Sequence, residues 1–109
     1  MGSNVWSVYI VQTARNSLYT GISPDVKARI ATHNCGKGSR SLRGALPVEL
    51  VYSCELGSRS LAQRAEHRLK KLSAANKRAL VNSDPGAGQL IKQLGLESKA
   101  EEGAHLIVW

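Results

Sequence analysis

WSVYIVQTARNSLYTGISPDVKARIATH, residues 6–33, is the stretch on which the fold turns. Its first part alternates, with Val5, Ser7, Tyr9 and Val11 on one side and Trp6, Val8 and Ile10 on the other. Apolar side chains on both sides predict a strand buried on both faces. Residues 13–17, TARNS, carry turn chemistry, and residues 18–22 resume a β-rich run, so a hairpin with a turn of about five residues is expected. Tyr9 and Tyr19 then stand on adjacent strands; whether they share a face depends on the register, which the sequence leaves open. Ser23-Pro24-Asp25 has the form of a helix start, with a hydroxyl cap, proline at the first helical position and an acid favoured by the dipole. The helix is expected to run to about Asn34. Val26 and Ile30 face the sheet, and Arg29 and His33, also four apart, lie at the margin of the buried stripe.

Downstream, residues 34–47 read NCGKGSRSLRGALP, a flexible basic loop in which Lys37, Arg40 and Arg43 follow Arg29 of the helix. It is not a Walker A loop, because Lys37 is followed by Gly38 and not by Ser or Thr. Such a loop either embraces a phosphate backbone or is a solvated connection. Residues 47–55 form a third strand with Val48, Leu50, Tyr52 and Cys54 on one face and Glu49 and Glu55 on the wetter side. From Ser58 the period becomes helical: Leu61, Ala65, Leu69 and Leu72 make a stripe, with Ser58 or Ser60 as cap. Glu66 lies on its rim, the one acid between Leu56 and Ser83, among Arg59, Arg64, Arg68, Lys70 and Lys71. Taken alone it is a salt-bridge partner. Ser73 caps a short helix to about Val81 that exposes Lys77 and Arg78, and Asp84-Pro85 opens another that ends near Gly95. ESKAEEGA is expected to be mobile, and the terminal HLIVW to be an edge strand, a core-docking segment or a contact for a second chain.

The 109 residues fit one compact α/β (α+β) domain, a small and mainly antiparallel three-stranded sheet flanked by helices. Residues 1–83 form its body, and residues 84–109 are a helix and tail packed on it or appended to it. No apolar run is long enough for a membrane span, and residues 1–4 lack the features of a signal peptide, so a cytoplasmic location is the default expectation. A myristoylation motif fails at Trp6. Cys35 and Cys54 are too few for a disulfide framework and lack zinc spacing. The net charge of +7 divides into +9 over residues 1–83 and −2 over residues 84–109. A basic body with an acidic tail points to a polyanionic partner, most simply nucleic acid.

The ordered set now has a strand tyrosine, a hairpin, Tyr19-Thr20-Gly21, a helix with Arg29 and His33, a basic loop, a strand and a helix with Glu66. It resembles the GIY-YIG nuclease superfamily, and within it the small stand-alone members. Ser7-Val8-Tyr9 and Tyr19-Thr20-Gly21 stand for the two name motifs, with RIATHN, the G-K-G loop, PVELVY, AEHRLKKLS and Lys77 following. The likeness covers residues 6–81. Ser7 departs from the family glycine and Thr20 from its isoleucine, while Ser41-Leu42 replaces an aromatic followed by threonine, which bears on loop contacts with substrate.

The resemblance implies a divalent-metal-dependent endonuclease acting on DNA, with branched, flapped or damaged substrates favoured and RNA not excluded. Tyr9, Tyr19, Arg29, His33 and Glu66 would be catalytic, with Glu66 holding a single Mg²⁺ or Mn²⁺ and Gly21 allowing close backbone approach or a positive φ. Arg29 suits phosphate oxygens, and one carboxylate with water suits Mg²⁺. For the base, an unperturbed phenol costs about 4 kcal/mol to ionise at pH 7. One of the two tyrosines therefore positions or deprotonates water while His33 accepts or relays the proton. Lys37, Arg40, Arg43, Lys70, Lys71 and Lys77 would contact nucleic-acid phosphates. The rival expectations are a nucleic-acid-binding module that needs a protein partner or a second copy, engaged through the tail, and a structural basic protein in which Glu66 merely bridges arginines.

Overall fold

The structure, a computed structural model, describes residues 5–96, so ESKAEEGA and HLIVW lie outside the described residues. The elements are β1 (Trp6–Gln12), β2 (Leu18–Ser23), α1 (Val26–Asn34), a 3-10 helix (Arg40–Ala45), β3 (Glu49–Gly57), α2 (Arg59–Lys70), α3 (Ala74–Ser83) and α4 (Ala87–Gln93). The sheet is antiparallel throughout, in the order β2-β1-β3. Its central strand is the one whose two faces are both apolar. Val8 and Ile10 face a cluster with Tyr52, Cys54, Ala65, Leu69, Leu80, Leu90, Leu94 and Leu96, beneath α2, α3 and α4. Tyr9 and Val11 face the other way, to Leu42 and Val48, with Tyr19, Val26 and Ile30 packed around them. Residues of α4 thus complete the main core.

The hairpin register pairs Tyr9 with Gly21 and Val11 with Tyr19. Since Tyr9 and Val11 share a face, Tyr19 shares it too, which answers the question the turn left open. Asn16 takes the left-handed conformation in the turn, and Arg78 of α3 hydrogen-bonds Gln12 Oε1 and the Asn16 carbonyl, tying the hairpin to the opposite layer. Arg78 is exposed as expected, but Lys77 is half-buried.

Four local expectations are corrected. Asp25, not Ser23, caps α1: its carboxylate accepts from the Ala28 amide at 3.1 Å, while Ser23 Oγ takes the Asp25 amide, so Pro24 precedes the helix. On β3, Ile10 pairs with Tyr52 but Val11 with Leu50, a bulge that inserts Val51 and reverses the alternation. Tyr52 and Cys54 therefore join the main core, whereas Val48 joins Tyr9 and Leu50 is 39% exposed. The segment expected as a flexible loop is ordered by its 3-10 helix and by the burial of Leu42. Finally, α3 runs to Ser83 and ends on Asp84 at φ 49°, and α4 starts after Gly86, not at Asp84-Pro85. Pro85 is instead held by Tyr52, whose hydroxyl donates to its carbonyl at 2.7 Å.

On α2, Ser58 is the cap, accepting from the Leu61 amide, and Ala62, Ala65 and Leu69 are the residues fully buried against the sheet. Two alanines there let the helix approach β1 and β2 closely. Gly95, at φ 69°, ends α4, and Arg68 of α2 donates to the Leu94 carbonyl at 2.7 Å.

Candidate active site

Tyr9 and His33 are both 1% exposed, and their polar atoms meet: Tyr9 Oη lies 2.9 Å from His33 Nε2. His33 is therefore interior, not marginal as its helical position suggested. Tyr19 stands edge-on to the same imidazole, with ring centroids 5.8 Å apart and planes at 76°. On the far side of the ring, the main-chain N–H of Ser39 donates to Nδ1 at 3.2 Å. The imidazole is thus held at both nitrogens and on one face.

Gly21 has a steric role. A Cβ on it would lie 2.5 Å from Tyr9 Oη and 2.6 Å from Cζ, so the phenol ring lies flat against the backbone of the edge strand. Of the two roles expected for Gly21, the structure assigns close approach; its φ is not among the positive values. Gly38 does the same for His33, where a Cβ would come within 2.1 Å of Nδ1. Asn34 anchors the end of α1, accepting from the Val48 amide at 2.7 Å and donating to its carbonyl at 3.1 Å.

Electrostatically the group is coupled. Burial raises the Tyr9 pKa above its ordinary value and Tyr19 adds to this, while hydrogen bonding and charge from Arg29 oppose it. Glu66 is close enough to push in the same direction as Tyr19. Burial lowers the His33 pKa, and the Arg29 charge lowers it further, so the imidazole is neutral at pH 7. Glu66 is 25% exposed in its side chain, and its Oε2 lies 3.2 Å from Lys70 Nζ one turn away.

The five residues expected to be catalytic therefore converge from β1, β2, α1 and α2. Lys37, Arg40, Arg43, Lys70 and Lys71 are exposed; Lys37 and Arg40 flank the Gly38-Ser39 pair that meets His33, and Lys70 meets Glu66. Among the described residues no three His, Cys, Asp or Glu side chains cluster. Glu66 alone, partly open to water, is a hard oxygen donor suited to an ion that keeps most of its hydration shell. Sequence inspection missed the Ser39 amide, Gly38 and the Asn34 clamp. Of the two glycines flanking Lys37, Gly38 was the available signal, since it marks the close approach to His33, whereas Gly36 at φ 80° serves the turn.

The GIY-YIG catalytic domain matches residues 5–79. The UPF0213 protein YhbQ of Escherichia coli (strain K12) is 45% identical over 89 residues, 82% of this chain and 89% of that protein. A UPF0213 protein of Yersinia pestis (strain Pestoides F) is 43% identical over 98 residues, 90% of this chain and all of that protein. The solution NMR structure of a UPF0213 protein from Bacillus halodurans superposes with a TM-score of 0.50 at 34% identity, covering 87% of this chain and 99% of that one. No helix among the described residues is long and apolar enough to cross a membrane. With three antiparallel strands, flanking helices and a match over most of its length, the chain belongs to the GIY-YIG family.

Proposed function

We propose that the protein is a divalent-metal-dependent endonuclease that hydrolyses phosphodiester bonds in DNA, with branched, flapped or damaged structures as preferred substrates. The observation that carries this is the buried Tyr9–His33 pair at 2.9 Å, with Arg29 acting on both members. A main-chain amide can only donate, so Nδ1 of neutral His33 accepts and Nε2 carries the hydrogen. His33 then faces Tyr9 as a donor. This favours Tyr9 as the base, with His33 stabilising its phenolate, over the expected role of His33 as acceptor or relay of the proton.

In this scheme ionised Tyr9 takes a proton from the attacking water, while the new P–O bond forms and the bond to the leaving sugar oxygen breaks. That oxygen takes its proton from solvent. Burial makes the phenolate costly and leaves the Tyr9 pKa raised, and the Arg29 cation and the His33 N–H offset part of that cost. Arg29 also binds the phosphate oxygens as negative charge accumulates. Tyr19 holds the plane of the imidazole and helps place the water. Glu66 would hold Mg²⁺ or Mn²⁺, which supplies further positive charge to the phosphate. Lys37, Arg40, Arg43, Lys70, Lys71 and Lys77 would grip the backbone on either side.

The test is incubation with labelled single-stranded, duplex, flap and branched DNA, and their RNA counterparts, in Mg²⁺ or EDTA. Metal-dependent cutting is expected, with Arg29→Ala and Glu66→Ala each slower by about 10²-fold or more. Cutting that survives Glu66→Ala in a folded variant would remove the metal role. Binding without cutting on every substrate would make the protein a recognition module.

A further inference from the structure

The G-K-G loop invites a phosphate-binding role through Lys37, and the placement of Gly38 adds another. Gly38 abuts the imidazole so closely that any side chain would displace it, and the next residue delivers its amide to Nδ1. We infer that Gly38 and the main-chain amide of Ser39 are positioning residues that set the tautomer of His33 and so make Nε2 a donor to Tyr9. This rests on the proposed role of Tyr9 as base and adds to it the part that orients His33.

The alternatives for this task are few. The Nδ1 of a buried neutral imidazole takes whichever role its neighbour dictates, and the other nitrogen takes the opposite one. Here that neighbour is an N–H that cannot reverse its direction. A serine hydroxyl in its place could either donate or accept and would leave both tautomers available. The Ser39 side chain is turned elsewhere, to Ser41 Oγ at 2.9 Å. The backbone alone does the work, and glycine at position 38 lets it approach.

The inference has a direct test in the wild-type tautomer and a second in a variant. Ser39 sits at φ −62° and ψ 134°, values proline can adopt. The proline Cδ would replace the N–H and press on Nδ1, so that variant both removes the donor and displaces the ring. Ser39→Pro removes one N–H, whereas Ser39→Ala keeps it. Long-range ¹H–¹⁵N correlation spectra of the full chain are expected to find His33 bare at Nδ1 and protonated at Nε2, in the wild type and in Ser39→Ala. Ser39→Pro should shift it to the other tautomer or to a mixture. With cleavable DNA, Ser39→Pro should lose about tenfold or more in kcat relative to Ser39→Ala, with KM within about twofold. The loss should disappear when both are made in a His33→Ala background.

A proton on Nδ1 in the wild type would overturn the inference without recourse to any variant. A folded Ser39→Pro with the tautomer and kcat of Ser39→Ala would overturn it as well. The spectra require no cleavage, so an inactive protein with the expected tautomer would count against the nuclease proposal alone.

Discussion

A methyl group at Gly21 would have to occupy space already filled by Tyr9. The neighbour is the reactive end of the ring, so the substitution acts where displacement matters most. Gly21→Ala is expected to push the phenol away from His33 and lower kcat by about 10²-fold, the scale of a 1 Å misplacement, in a steady-state cleavage assay. An unchanged kcat would mean that the tyrosine can be accommodated elsewhere. At this scale the sequence was informative about side chains and silent about the main chain. Tyr9, Tyr19, Arg29, His33 and Glu66 were legible because their order along the chain is unusual, although each alone is ordinary. The Ser39 amide was not, because every residue except proline has one. Thr20 is a different case: its hydroxyl is buried without a partner among the described residues, and nothing in the family motif foretells that.

Among the elements, the hairpin and the three long helices were readable from period and capping, and the errors came at junctions. Ser23-Pro24-Asp25 contains two capping side chains, and pattern alone does not say which one takes the helix amide. The β3 bulge was hidden for a similar reason, since an alternating apolar string looks the same whether or not one residue is extra. What joins α1 to β3 is the double hydrogen bond from Asn34 to Val48. It fixes the end of the helix that carries His33. Asn34→Ala leaves both Val48 groups without their partner and is expected to cost about 1–3 kcal/mol. Urea unfolding should register this as a lower midpoint with an unchanged slope. A midpoint equal to the wild type's would mean that water replaces the clamp at no cost.

For the molecule as a whole, charge is the property most directly carried over from composition. The excess of +9 in residues 1–83 includes Lys37, Arg40, Arg43, Lys70 and Lys71, all of which remain exposed. If about five phosphates are neutralised on duplex DNA, the logarithm of the binding constant should fall with log salt at a slope near −4.5. A flat response, measured by fluorescence anisotropy, would count against this face as the contact surface. The α+β class was legible, because 109 residues with one clear hairpin and several capped helices allow few arrangements. The use made of α4 was less so, because Gly86 and Gly88 weaken its helical signal. Yet the cluster beneath the sheet includes Leu80, Leu90, Leu94 and Leu96, all beyond the family match at residue 79. Each is worth about 1.5–3 kcal/mol of burial. The portion matched by the catalytic domain, residues 5–79, is therefore smaller than the portion that packs as one core. A fragment trimmed to the shared motif would retain every proposed catalytic side chain and lack one wall of the core on which their alignment depends.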